Sequence, residues 1–439
     1  MKFQSESCCP GPETYFWSGN RTNNGGMTLE KNLGIVVGGG PAPGINGVIS
    51  AATVEAFNRG INVIGILDGF KWLFRGDAGK VIKLDHKNAW PVHSRGGSIL
   101  RISRDFPENP EESFQAMIKT LKKLKIHYLI TIGGDGTSFV AREIEKRTDG
   151  AISVVHVPKT IDNDLPLPGG AQTFGYETAR HWGTKIVRNI IEDARTTGRW
   201  YFITTMGRNT GHLALGIGKA AGATITVIPE EFRESKLKFS RVADILESTI
   251  IKRLSQGYAY GVAILAEGVA TKIDVKELSQ YEFLENDERG ALRLSEIQLG
   301  RILQCFVNKE FEKRKVKIKI VHKTIGYELR AADPILFDAE YTRNLGYSAV
   351  KFLMEGGSGA LISFYDGRVK PIPLRDIIDP ATKKTKVRYV NTKADPYIVG
   401  RKYMIRLEKE DLSPPTIEKI AKAGRYTPDE IRKRFSYLV

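Results

Sequence analysis

Cysteine is scarce in this chain of 439 residues: Cys8, Cys9 and Cys305 are too few for a disulfide framework, and the pattern predicts a protein of the reducing cytoplasm. No run of about 18 uncharged apolar residues occurs, so a membrane-spanning helix is not expected. The sequence has no internal repeat and no low-complexity block. Its 26% charged and 41% hydrophobic residues exclude a largely disordered or collagen-like chain. Acidic side chains are the scarcer charge, 50 Asp and Glu against 66 Lys and Arg, leaving a net +16 at pH 7. Such a balance attracts anions without naming them; nucleic acid and phosphorylated metabolites are the two candidates. Proline is sparse beside glycine, 19 against 44, which favours tight turns and sites lined by backbone.

At roughly 150 residues per domain the length suggests about two to four domains. Residues 1–26 mix Pro, Gly, Ser and Asn with scattered aromatics and lack the apolar centre of a signal peptide, so they are expected to be a flexible arm. From Leu33 onward short β-branched runs alternate with longer helical periods. Strands are expected at Gly34–Val37, Asn62–Ile66, Tyr128–Ile132, Ile152–Val157, Tyr201–Thr205, Thr224–Ile228, Val262–Ala266 and Leu361–Phe364. Helices are expected over Ile45–Arg59, Glu111–Leu124, Thr137–Lys146, Thr178–Ala194, Leu213–Ala221, Arg241–Leu254, Ile297–Arg314 and Thr342–Met354, with helical, proline-broken sequence from Ser413. This rhythm predicts an α/β protein with mainly parallel sheets flanked by helices. The basic stretch Ala381–Arg388 reads as a solvated connection.

Four strand-to-helix loops carry the chemistry, each placed where a doubly wound sheet collects ligands. Gly38–Asn46 is glycine-rich, which lets backbone approach a phosphate or simply permits tight packing. In Gly133-Gly134-Asp135-Gly136-Thr137 the carboxylate suits a phosphate-bound magnesium ion, or Asp and Thr merely cap the helix. Pro158-Lys159-Thr160-Ile161-Asp162-Asn163-Asp164 sets two carboxylates beside a cation, enough for proton abstraction with help on a metal, or for a polar turn. Met206-Gly207-Arg208 offers backbone and guanidinium to a phosphate, while His212 reads as structural.

In this order the motifs resemble the phosphofructokinase family, over about Leu33 to Asp379. Gly96-Gly97-Ser98 with Arg104, Ala266-Glu267-Gly268 and Gly326-Tyr327-Glu328-Leu329-Arg330 add to the likeness. The resemblance implies two Rossmann-like lobes of the phosphofructokinase fold and a glycolytic, Mg²⁺-dependent phosphoryl transfer to the 1-hydroxyl of fructose 6-phosphate. It implies a general base in Asp162 flanked by Thr160 and Asp164, a magnesium-side carboxylate in Asp135, and charge stabilisation by Arg208. Gly39, Arg104, Gly134, Asp135, Gly136, Thr137 and Lys159 are then expected at the phosphoryl donor. Thr160, Asp162, Arg199, Met206, Gly207, Arg208, Glu267, Tyr327 and Arg330 are expected at the sugar phosphate, Arg199 reaching in from a neighbouring subunit. Lys323 is the nearest match to a second cross-subunit cation. The donor lobe is expected from 27–172 and 330–384, the sugar lobe with a C-terminal extension from 173–329 and 385–439. The protein is expected to be a homo-oligomer, dimer or tetramer, binding neither nucleic acid nor membrane.

Two positions bear on the donor. By the resemblance, pyrophosphate-using members usually carry Asp where this chain has Gly136, a carboxylate that crowds a nucleotide's α-phosphate. Lys159 is shared with pyrophosphate enzymes but also with some longer ATP-using ones. Weighing a missing steric block above a merely compatible charge, the expected donor is ATP, with pyrophosphate as the alternative. An NAD or lipid kinase would share Gly-Gly-Asp-Gly-Thr but lack the Asp162 and Arg208 motifs. A nucleic-acid-binding protein would cluster its cations with aromatics, and here the cations are dispersed. A regulatory pseudoenzyme would not be expected to keep Asp135, Asp162 and Arg208 intact.

Overall fold

The computed structural model describes residues 31–104, 109–234, 236–274, 277, 297–382 and 385–439. The arm expected at 1–26, with Cys8 and Cys9, lies outside them. Among the described residues eleven strands form two sheets: β1 Asn32–Val37, β2 Asn62–Ile66, β3 Val81–Leu84, β4 Ile126–Gly133, β5 Ser153–Pro158, β6 Trp200–Thr205, β7 Ile225–Val227, β8 Gly261–Ala266, β9 Ile320–Ile325, β10 Ala360–Tyr365 and β11 Arg368–Pro373.

Seven strands pair in the order β11-β10-β5-β4-β1-β2-β3 and four in the order β7-β8-β6-β9. The smaller sheet is wholly parallel. In the larger one only the edge strands β3 and β11 run antiparallel.

Alternation along the strands divides the larger sheet's core. Leu33, Ile35 and Val37 of β1, Ile130 and Ile132 of β4, and Val155 and Val157 of β5 face one apolar cluster with the helices Ile45–Asn58 and Leu336–Met354. Val36, Leu129 and Val154 face the other, where Phe114, Met117, Leu121, Val140 and Ile144 of the helices Pro110–Lys123 and Asp135–Thr148 pack. Parallel strands buried on both faces need this apolar run on each side. A third cluster, including Trp200, Phe202 and Ile264, packs the smaller sheet. Asp338 ties the helices of the two halves: it accepts from the backbone N–H of Gly175 and Thr178, both at 2.8 Å, and from the Thr178 hydroxyl at 2.6 Å.

The expected strands are all present: β1, β6, β8 and β10 are one or two residues longer than expected, β4 is three longer, β2 and β5 keep their expected length, and β7 is two residues shorter. Three others were not foreseen. β3 is four residues long, β9 carries His322 and Lys323 in its interior, and β11 holds Pro371 and Pro373. Two are edges, where charge and proline cost no ladder bond; β9 is likewise at an edge. The sequence from Ser413 does form helices, Thr416–Gly424 and Pro428–Phe435. Among the described residues no helix is long and apolar enough to cross a membrane.

Candidate active site

Strand order reverses beside β1, whose neighbours β2 and β4 lie on opposite sides, and the loops at the carboxyl ends of β1, β4 and β5 meet there. The Gly38–Gly44 loop follows β1. A Cβ on Gly38 would stand 2.3 Å from Thr137 Oγ1, and one on Gly133 2.2 Å from the same atom. Both positions therefore exclude a side chain, and the loops after β1 and β4 close onto Thr137. The helix after β4 begins at Asp135 rather than at Thr137 as expected, and no side chain caps it. Asp135 in its first turn complements the helix dipole. Its carboxylate faces Arg208, 3.5 Å away.

Lys159, just after β5, is buried, and its ammonium donates to the carbonyl oxygen of Gly40. A Cβ on Gly39 would lie 3.4 Å from that ammonium, and one on Gly40 would lie 3.1 Å from an Arg104 nitrogen and 3.5 Å from one of Arg330. Three cations thus converge on the Gly39–Gly40 backbone. Burial first, then repulsion from Arg104, Arg330 and Arg208, lowers the Lys159 pKa to about 7 against the attraction of Asp162. A polyanion placed there would reverse that repulsion.

Asp162 and Asp164 are buried two residues apart. The Asp162 N–H donates to Thr160 Oγ1 at 3.0 Å, and its carbonyl accepts from Thr210 Oγ1 at 3.3 Å. Burial raises the Asp162 pKa and Arg208 opposes it. Asp164 is pushed up to about 7, by burial, then by Asp162 and Asp135. Asn163 between them adopts the left-handed backbone, φ 56°, which Asn tolerates.

The second sheet delivers its residues from the carboxyl ends of β6, β8 and β9. Glu267 accepts from the backbone N–H of Gly207 at 3.1 Å and of Arg208 at 2.7 Å, fixing the Met206–Arg208 turn. Its own pKa rises to about 7, by burial and then by Asp162. Gly326 leaves room for Met206, whose side chain a Cβ there would meet at 2.4 Å. The Tyr327 ring lies under the Arg330 guanidinium, 4.6 Å from its carbon. Arg199 stands apart, immediately before β6 and so about 20 Å along the strand from Arg208. Lys323 lies exposed within β9.

Four participants were not foreseen. The Gly40 carbonyl holds Lys159, Thr210 holds the Asp162 backbone, and the Thr173 hydroxyl donates to the Thr160 carbonyl at 2.8 Å. Arg388 corrects the reading of Ala381–Arg388 as solvated: it is partly buried and bonded to Asn163 and Ala171. Gly40 stands in the glycine-rich loop, but its bond to Lys159 spans 119 residues, and the contacts of Thr210, Thr173 and Arg388 likewise join separate segments, so only proximity in space reveals them. His212 is structural as expected, its Nε2 3.0 Å from the Arg388 carbonyl.

Among the described residues no group of three or more His, Cys, Asp or Glu is disposed to hold a metal ion alone. Magnesium needs no such cage, commonly taking one or two carboxylates with water and substrate phosphate. Asp135, near two carboxylates whose anionic forms are disfavoured, fits that requirement.

Glycine-lined cationic loops and buried carboxylates thus meet at the carboxyl ends of strands from two Rossmann-like sheets, a constellation suited to phosphoryl transfer. Residues 32–353 match the family described as phosphofructokinase, and the chain belongs to that family. It is similar to the pyrophosphate–fructose 6-phosphate 1-phosphotransferase of Thermotoga maritima, 51% identical over 93% of this chain and 98% of the relative. The enzyme of the same name from Naegleria fowleri is 44% identical over 93% and 95%. An ATP-dependent 6-phosphofructokinase from Ligilactobacillus salivarius is 30% identical over 81% and 96%. The fold matches a crystal structure of the pyrophosphate-dependent phosphofructokinase from Marinobacter aquaeolei with a TM-score of 0.64, at 14% identity, over 90% of this chain and 92% of that one.

The expectation of ATP as donor is overturned by the 51% and 44% identities to pyrophosphate-using enzymes. The lack of a side chain at 136 permits a nucleotide but attracts nothing, whereas a buried ammonium among arginines attracts a compact polyanion.

Proposed function

We propose that the protein is a pyrophosphate-dependent fructose 6-phosphate 1-phosphotransferase. The observation that carries this reading is the convergence of Lys159, Arg104 and Arg330 on the Gly39–Gly40 backbone, supported by the relatives' activity. Asp162 takes the proton of the sugar's 1-hydroxyl as its oxygen attacks one phosphorus of pyrophosphate. The bridging P–O bond breaks, giving fructose 1,6-bisphosphate and inorganic phosphate. A raised carboxylate pKa suits a base working near neutrality. Lys159 and Arg104 hold the donor, and Arg208 stabilises charge on the group in transit. Thr160 and Asp164 position the base loop. Met206, Gly207, Glu267 and Tyr327 shape the sugar-phosphate side, and Arg330 stands between it and the donor loop.

Mg²⁺, held by Asp135, would neutralise phosphate charge when bound. The larger sheet serves the donor and the smaller one the sugar. Arg199, remote from its own chain's loops, serves the site of a neighbouring copy in a dimer or tetramer. A cytoplasmic location accords with the phosphorylated substrates.

The test supplies fructose 6-phosphate and Mg²⁺ with either pyrophosphate or ATP and measures the bisphosphate formed. Turnover is expected with pyrophosphate and at least about a hundredfold less with ATP, the scale of losing a set of charge-assisted contacts. Failure with both donors, or equal use of ATP, would overturn the proposal.

A further inference from the structure

The segment Thr385–Val390 threads between the Asp162–Asp164 turn after β5 of the larger sheet and the loop after β6 of the smaller one. The Lys386 N–H donates to the Ile377 carbonyl at 2.8 Å, the Arg388 N–H to the Asp164 carbonyl at 2.7 Å, and the Val390 N–H to Glu230 Oε1 at 3.0 Å. Glu230 Oε1 also accepts from the Gly211 N–H at 3.0 Å, and the Arg388 carbonyl meets His212 Nε2. From this strap the Arg388 side chain reaches back. Nε donates to the Asn163 carbonyl at 3.1 Å, Nη2 to the same carbonyl at 2.9 Å and to Asn163 Oδ1, and Nη1 to the Ala171 carbonyl at 2.8 Å. Asn163 Oδ1 further accepts from the Thr173 N–H at 3.2 Å.

We infer that Arg388 is a positioning residue for the transfer reaction, a clamp that holds the Asp162-Asn163-Asp164 turn in register. The inference rests on the proposed function. Each of these side-chain acceptors is an amide oxygen, so the guanidinium acts by shape, not by pairing with a carboxylate. A turn with Asn163 at positive φ presents its carbonyl and side-chain oxygen on one side, and a planar fork spans both together with Ala171. A lysine ammonium is a point donor and cannot bridge that set. Release of the clamp would let the carboxylate of Asp162 drift from the attacking hydroxyl, and displacement by about an ångström costs rate steeply.

The test compares Arg388→Met and Arg388→Lys with the parent enzyme, and with Arg406→Met as a control that removes a buried arginine elsewhere, the partner of Glu231. Arg388→Met is expected to lower kcat roughly a hundredfold while the KM values for fructose 6-phosphate and pyrophosphate stay within about threefold, since donor and sugar contacts are untouched. Arg388→Lys is expected to fall between it and the parent, and carries the test alone if the methionine variant does not fold. Backbone amide exchange over residues 160–173 in the substrate-free protein is expected to quicken by about tenfold or more, with β6 and β8 unchanged. The Arg406→Met control is expected to keep its kcat and the exchange rates of 160–173.

A kcat within twofold of the parent, or unchanged exchange in this loop, would overturn the clamp. The exchange measurement needs no substrate, so an inactive parent would refute the proposed reaction without touching this result.

Discussion

Arg208 and Asp135 face each other at 3.5 Å although one follows β6 of the four-stranded sheet and the other opens the helix after β4 of the seven-stranded sheet. Each belongs to a separate loop, and their meeting sets the carboxylate expected at the metal beside the guanidinium expected at the transferring group. Both side chains remain open to solvent, so the pair adds little to stability. Its importance lies in where it holds charge. Arg208→Met is expected to reduce kcat by roughly 10²–10³ with little change in melting temperature, measured by steady-state kinetics and thermal unfolding on the same preparation.

Asp162→Asn keeps the volume of the side chain and removes its basicity. The expected loss in kcat is about 10²–10⁴, the range for a positioned general base, with the KM for fructose 6-phosphate changed by less than threefold or so. A near-normal kcat in a coupled bisphosphate assay would rule out the base role.

Lys159 gives a pH dependence with a defined sign. In the empty site its ammonium titrates near 7, lowered by burial and by neighbouring arginines. An anion favours the charged form, so binding raises this pKa and draws a proton from solution above pH 7. Calorimetric titration of pyrophosphate at pH 8 in two buffers of different ionisation enthalpy is expected to show proton uptake, and affinity is expected to weaken as pH rises from 7. In Lys159→Met the uptake is expected to shrink and the pyrophosphate KM to rise by about tenfold or more.

Asp164 links catalysis to stability. Its folded pKa, about 7, lies above its ordinary value of 3.8 because burial and Asp162 disfavour the anion. The folded protein therefore binds this proton more tightly than the unfolded chain, and stability falls as pH rises from about 4 to 7. Asp164→Asn is expected to stabilise the ligand-free protein by on the order of 1–3 kcal/mol at pH 8 and by less at pH 5. Urea unfolding at the two pH values checks this, and equal effects at both would contradict the assignment.

Most of the fold is legible along the chain because β1, β4, β5, β6 and β8 are central, apolar runs bounded by glycine or polar loops. β3, β9 and β11 were not, since strands at an edge need bury less and may carry Lys323 or Pro371 within them. The site was legible in the same measure. Asp135, Asp162 and Arg208 stand in contiguous motifs, while the Gly40 carbonyl, Thr173 and Arg388 act through contacts between segments far apart in sequence.

Covalent order alone therefore determined the family's loops, the parallel α/β layering and the residues suited to phosphoryl transfer, because each depends on a short pattern of side chains. Only the tertiary structure decided how Lys159 is surrounded, since the electrostatic worth of an ammonium depends on burial and on cations brought from distant loops. For the same reason a basic run that looked solvated became, at Arg388, a partly buried fork: hydrogen bonds to Asn163 and Ala171 exist only once the chain has folded back across more than two hundred residues.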